Sequence, residues 1–222
     1  YGSNGGYIFK FAGGFDATDI GLDSAEAIAQ AEYLDGLVKN GTVAATDYGA
    51  AMAAFQEGRA PYMINGPWAR GDASAVNYSV ALIPGFDGNP ATPFVGVRGA
   101  MVSAFSDKQV LAQSFILDFF ATVDVQKAMY DNDPRLPATK SLFALVEEVD
   151  PIAGQFAASA ANGLPMPNIP EMGSVWGPVG DALLVIRSQS YGTNEDTGVT
   201  INSASDAMKW AAEQVRTAIA GG

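Results

Sequence analysis

Apolar and polar positions alternate along this chain in two different rhythms. A short two-residue rhythm over Tyr7–Phe11, inside the Gly-rich opening "YGSNGGYIFKFAGGFD", predicts a strand followed by a turn. A helical rhythm then begins: Asp23-Ser-Ala-Glu26 reads as a capped start, and Ala27, Ala31, Leu34 and Val38 carry the period to Lys39, where Asn40-Gly41 ends it. A second helix is expected from about Asp47 through Ala50, Ala54 and Phe55 to Gly58. "RAPYMIN" (59–65) reads as a short buried strand, and Pro67 suits the first position of a helix, where its missing N–H costs nothing.

Beyond this point "NYSVALIPGFDG" (77–88) predicts a strand closed by a Pro/Gly turn, and "PFVGVRGAMVSAFS" (93–106) a β-like run broken by Gly96 and Gly99. Helices are expected from Asp107 through Phe119, and over 123–131, 141–149, 152–162, 174–189 and 203–220. "DNDPRLPATK" (131–140) is a loop, and "GLPMPNIPEMG" (163–173) a Pro-broken connector. Strands interleaved with helices favour an α/β class.

Composition narrows the chemistry. The 222 residues are 48% hydrophobic and 16% charged, enough to bury a substantial core, and no run of 18 apolar residues is present. Twelve basic residues are scattered among twenty-four acidic ones, for a net charge of −12. A surface of that sign repels a phosphate backbone, so no nucleic-acid partner is expected. There is no histidine and no cysteine. Ser-His-Asp and Cys-His machinery is therefore excluded, as are most zinc and transition-metal sites, and the chain leans away from enzymes. Asp131 and Asp133 lack the glycine and distal glutamate of a calcium loop, Glu147 and Glu148 point in different directions on a helix, and no nucleotide-binding glycine fingerprint occurs. No cofactor and no metal are expected.

Aromatic residues are the informative class. Trp210 falls on a helix beside Met208, Ala211 and Val215 and reads as packing. Trp68 in "INGPWA" and Trp176 in "EMGSVWGP" each stand in the first turns of a helix beside a Pro/Gly break. Such a place serves either a core plug or a flat platform at the mouth of a cleft, near the carboxyl ends of strands.

Three stretches carry a resemblance to a known family. "TDYGAAMAAFQEGRAPYMINGPWA" (46–69), "VNYSVALIPGFDGNPATPFVGV" (76–97) and "PMPNIPEMGSVWGPV" (165–179) resemble the maltose-binding family of extracellular solute-binding proteins, which serve ABC importers. The similarity runs with small gaps from about Asn4 to Thr217, and "INGPW" and "MPNIP" in this order are specific. The resemblance implies an α/β, type II periplasmic-binding-protein-like fold of two lobes, of which this chain supplies mostly the C-terminal one. Residues 1–97 would be its first part, 98–144 a crossover and a segment of the N-terminal lobe, and 145–222 its second part. An N-terminal lobe missing from this chain would be a partner, in the same protein or as a separate chain. The ABC-transporter membrane subunits would be further partners of the intact receptor, which would be periplasmic or extracellular, with a lipid anchor as one arrangement.

The resemblance also implies a site. Trp68 and Trp176 match aromatic platforms for a sugar, and Tyr48 matches a tyrosine of the same cleft. Where maltose binders often place an arginine, four residues after the second tryptophan, this chain has Gly180. Arg98 and Arg135 are candidate substitutes. Burying a sugar face of about 50 Å² contributes about 1 kcal/mol per ring, against about 8 kcal/mol for micromolar binding, so these rings need help from elsewhere. The expected ligand is maltose or a related oligosaccharide. The alternatives are the same fold with another sugar such as trehalose, and a fragment that needs the missing lobe to bind. A glycoside hydrolase would need a second carboxylate opposite Asp47, and none suggests itself. Finally, the aromatic-rich "SFILDFFATV" (114–123) would pack against the missing lobe and, without it, would leave an exposed apolar face.

Overall fold

The computed structural model of the chain describes residues 4–85 and 88–221. A strand pair opens it, β1 (Phe9–Phe11) with β2 (Phe15–Ile20), followed by α1 (Ala25–Lys39) and α2 (Tyr48–Gln56). A single 3-10 turn spans Pro67–Arg70, and β3 is the two-residue Phe94–Val95. Helices α3 (Gln109–Ser114), α4 (Val123–Asn132), α5 (Lys140–Val149) and α6 (Pro151–Ala161) come next, with a π-helical turn at Phe115–Phe120 continuing α3. After β4 (Leu164–Pro165) and a 3-10 turn at Pro170–Ser174, α7 (Trp176–Ser188) leads to the hairpin β5 (Gly192–Thr193) and β6 (Thr200–Ile201). Helix α8 (Ala204–Gly221) closes the chain.

Two compact units result. The first comprises Tyr1–Asp47, Pro84–Thr92 and Leu164–Gly222, and the second Tyr48–Ile83 and Pro93–Gly163. In the first, α8 is the spine. Its buried residues Ala204, Ala207, Met208, Ala211, Ala212 and Val215 recur at helical spacing, and the alanines let neighbouring helices approach closely. Ala182 and Ile186 of α7, Ala31 of α1, Phe9 and Ile20 of the first hairpin, and Met172 and Val175 complete this core. Trp210 is partly buried against it, as its spacing predicts. Ser24 caps α1 by accepting from the Ala27 N–H at 3.2 Å. Arg216 clamps α8 to the chain ahead of α1 by two bonds to the Asp23 carboxylate, at 2.7 and 3.0 Å. Asp35 of α1 likewise accepts from Gln189 and Tyr191 beyond the end of α7, each at 2.7 Å.

The second unit has a much smaller core. Leu142 and Val146 of α5 and Ala153 of α6 are buried together, with Tyr130 and Leu136 packed against them. Polar ties do more here, among them a hydrogen bond from the Val80 N–H to Gln155 Oε1 at 2.6 Å.

Helices fall where their periods place them, but the predicted strands largely do not form. Residues 59–65 are irregular, with Tyr62 and Ile64 89% and 78% exposed, so the expected buried strand is absent. Over 77–88 the described residues show only an isolated bridge between Pro84 and Pro90, and of 93–106 only Phe94–Val95 is a strand. A strand holds only where a neighbour takes up its N–H and C=O groups. Apart from Phe94–Val95 and the Pro84–Pro90 bridge, these segments have apolar alternation without such a neighbour among the described residues. The first residues of the Gly-rich opening and the centre of the turn after Ile83 lie outside the described residues.

Candidate functional site

Trp68 owes its position to backbone chemistry on both sides. Pro67 is the first residue of the 3-10 turn, and the Ala69 N–H donates to the Gly66 carbonyl at 3.0 Å. Ala69 and Ala73 are buried, so the turn is pinned on one side while the indole is displayed on the other. A Cβ at Gly66 would stand less than 3.0 Å from Cζ3, Cη2 and Cε3 of the Trp68 ring. Glycine is therefore required for the ring to fold back over the chain.

Four ties fix the same turn and the residues just after it. Arg70 pairs with Asp150, Nη2 to Oδ2 at 2.6 Å, and donates through Nη1 to the Pro134 carbonyl at 3.1 Å. Asp72 accepts from the Tyr48 hydroxyl at 3.4 Å, and its carbonyl accepts from the Gln56 amide at 2.6 Å. The Tyr130 hydroxyl also donates to Asp150. Partial burial would push the Asp150 carboxyl up, but the bonds from Tyr130, Arg70 and the Ala153 N–H outweigh it and hold the group below the usual carboxylate range. Asp150 and Tyr130 in turn raise the Arg70 guanidinium against its own desolvation.

Trp176 is built differently, in the first unit. It is the first residue of α7, and the residue before it, Val175, is fully buried under the helix start. A Cβ at Gly173, Gly177 or Gly180 nearby would meet nothing within 4 Å. The arginine that the resemblance led one to look for after this tryptophan is thus replaced by open backbone at Gly180.

Trp68, Trp176 and Tyr48 are 56%, 54% and 53% exposed, so none of the three is a core plug. Tyr48, Trp68, Arg98 and Arg135 belong to the second unit and Trp176 to the first. Tyr48 and Trp68 are linked through the Trp68 turn by Asp72. Arg98 is exposed on irregular chain. Arg135 pairs with its neighbour Asp133 at 2.6 Å, and the carbonyl just before it is the one Arg70 holds. Gly66, Arg70, Asp72 and Asp150 were not singled out by the sequence. The Asp-Pro pair at 150–151 signals a helix start, and Asp150 does cap α6, but no pattern pairs it with a residue 80 positions away. Among the described residues no group of three or more acidic side chains is gathered to hold a metal ion, and no helix is long and apolar enough to cross a membrane.

Residues 1–158 match the bacterial extracellular solute-binding protein family, and the chain belongs to it. That membership implies a periplasmic-binding-protein-like fold, of which the described part is rich in helix and poor in strand. A galactooligosaccharide-binding protein of Bacillus subtilis is 33% identical over 200 residues, covering 83% of this chain and 46% of the relative. A maltooligosaccharide ABC transporter solute-binding lipoprotein of Streptococcus pneumoniae is 31% identical over 188 residues, covering 81% of this chain and 44% of the relative. A maltodextrin-binding protein of Bacillus subtilis is 28% identical over 225 residues, covering 96% and 51%. The chain spans about half the length of the curated relatives it matches.

Proposed function

We propose that this chain is part of a carbohydrate receptor of an ABC importer, binding maltose or a malto-oligosaccharide reversibly and without turnover. The observation that carries the reading is the display of Trp68, Trp176 and Tyr48, each more than half exposed at the start of a helical element. A sugar ring has C–H-rich faces and polar edges. Flat aromatic side chains cover the faces, while Arg98 and Arg135 offer planar donors to the hydroxyls. The maltooligosaccharide and maltodextrin relatives support this ligand class. In this reading residues 1–97 and 145–222 belong to a C-terminal lobe, and 98–144 join an N-terminal lobe supplied by the rest of the receptor. The importer's membrane subunits are its partners, at the periplasmic or extracellular face of the membrane.

A second reading keeps the receptor and changes the sugar to a galactooligosaccharide, favoured by the Bacillus subtilis relative and by the bare backbone at Gly180. Calorimetric titration of the natural full-length protein with maltotriose and with a β-galactooligosaccharide separates the two. Micromolar binding of maltotriose with no product formed is the expected result. Preference for the galactooligosaccharide selects the second reading, and hydrolysis of either sugar overturns both.

A further inference from the structure

We propose that Arg70 is a positioning residue that holds the Trp68 turn and the Arg135 loop in one fixed arrangement, an inference that rests on the sugar-binding reading above. Arg70 follows Trp68 by two residues and ends the 3-10 turn that carries it. Its guanidinium is only 15% exposed, and it divides its donors between two other segments of the second unit. One terminal nitrogen reaches Asp150 at 2.6 Å; the other reaches the Pro134 carbonyl at 3.1 Å and the Tyr130 hydroxyl at 3.4 Å.

Each contact fixes something different. Asp150 is anchored by its own role at the start of α6, where Oδ1 accepts from the Ala153 N–H at 3.2 Å. Ala153 is fully buried in the small core, so the carboxylate stands on the firmest part of this unit. Pro134 precedes Arg135, so the bond to its carbonyl sets the backbone from which Arg135 projects. Leu136, on the far side of Arg135, packs against the same core. The guanidinium fork suits this work, because its donors leave in fixed directions and can satisfy a carboxylate and a carbonyl at once. Lysine, a point donor on a flexible stem, holds one of the two.

The arrangement has a functional consequence. An aromatic platform recognises a sugar face best when its orientation is fixed before the sugar arrives. An exposed 3-10 turn tied only by its own backbone would not maintain it. Arg70 supplies the missing cross-brace without touching the ligand.

The test uses the natural full-length protein labelled with 5-fluorotryptophan, whose indole resonances are assigned with single Trp→Phe variants. In Arg70→Met the Trp68 resonance is expected to shift and broaden, with those of Trp176 and Trp210 unmoved, and maltotriose affinity is expected to fall about tenfold. Arg70→Lys should restore part of both effects, and Asp150→Asn should reproduce the Arg70→Met spectrum more weakly. A Trp68 resonance unchanged in folded Arg70→Lys and Asp150→Asn proteins overturns the proposal, whatever happens to melting temperature. If the unmodified protein binds no sugar while the Trp68 resonance still moves in these variants, the sugar reading fails and the brace stands.

Discussion

The six-membered ring of Trp68 occupies the space that a side chain on Gly66 would need. Neither residue can be understood alone: the proline between them starts the turn, and the missing Cβ lets the indole fold back. Gly66→Ala is therefore expected to swing the ring away. Overpacking of this kind costs about 1–3 kcal/mol. A red-shifted Trp68 emission, more accessible to iodide, with weakened maltotriose binding, is the outcome to look for in the Gly66→Ala protein. Emission and binding identical to the parent would show that the ring does not depend on that space.

Removing a displayed ring should cost binding and little else. Trp176→Ala and Trp68→Ala each delete about one sugar face of apolar contact, about 1 kcal/mol, or roughly fivefold in affinity. Because both rings are more than half exposed, melting temperatures should stay close to the parent value. Trp210→Ala reverses the pattern, with stability lost and sugar affinity retained. Calorimetry paired with thermal melts reads all three.

Acid should loosen both units through their carboxylates. Arg216 holds Asp23 below the usual range, chiefly by its hydrogen bonds, and Asp150 is lowered by Tyr130 and Arg70 against the pull of burial. A carboxyl depressed in the folded state contributes stability that is fully present above its unfolded value, about 3.9, and is lost as pH falls through the folded value. Melting temperature should hold from pH 7 to about 5 and decline below about 4. Asp23→Asn and Asp150→Asn should each flatten that decline, which a pH series of melts measures.

The two cores should answer separately to cavities. Met208→Ala empties a fully buried site beneath α7 and α8, and Leu142→Ala does the same between α5 and α6. Each is expected to cost about 2–5 kcal/mol. Hydrogen exchange should show the Leu142→Ala loss confined to the second unit and the Met208→Ala loss to the first. Uniform loss in both would mean that the units fold as one.

What the sequence made legible follows from where the information resides. Helix period, caps and breakers are local, so Ser24 at the head of α1, Pro67 in the turn and the span of α8 could be read directly. The helix starts at Trp68 and Trp176 could be read from their proline and glycine neighbours, but their exposure could not, because the same setting serves a core plug equally well. Strands were misjudged because alternation reports a preference, whereas pairing depends on a distant partner, and "RAPYMIN" lacks one among the described residues. Arg70 was missed for the same reason: its partners lie 60 to 80 residues away. The apolar run 114–123 was read as exposed, and Phe115, Leu117 and Phe119 are indeed 55%, 69% and 54% exposed.

Among the described residues the two cores differ greatly in size: fifteen buried residues cluster around α7 and α8, and three between α5 and α6. Trp176 is thus mounted on a stiff body, and Trp68 with Tyr48 on one whose order rests on polar ties. A ligand resting on Trp68 gives up more of the protein's own conformational freedom than one resting on Trp176. Affinity measured over temperature would then carry the imprint of that softer unit, as an entropy cost that no contact distance records.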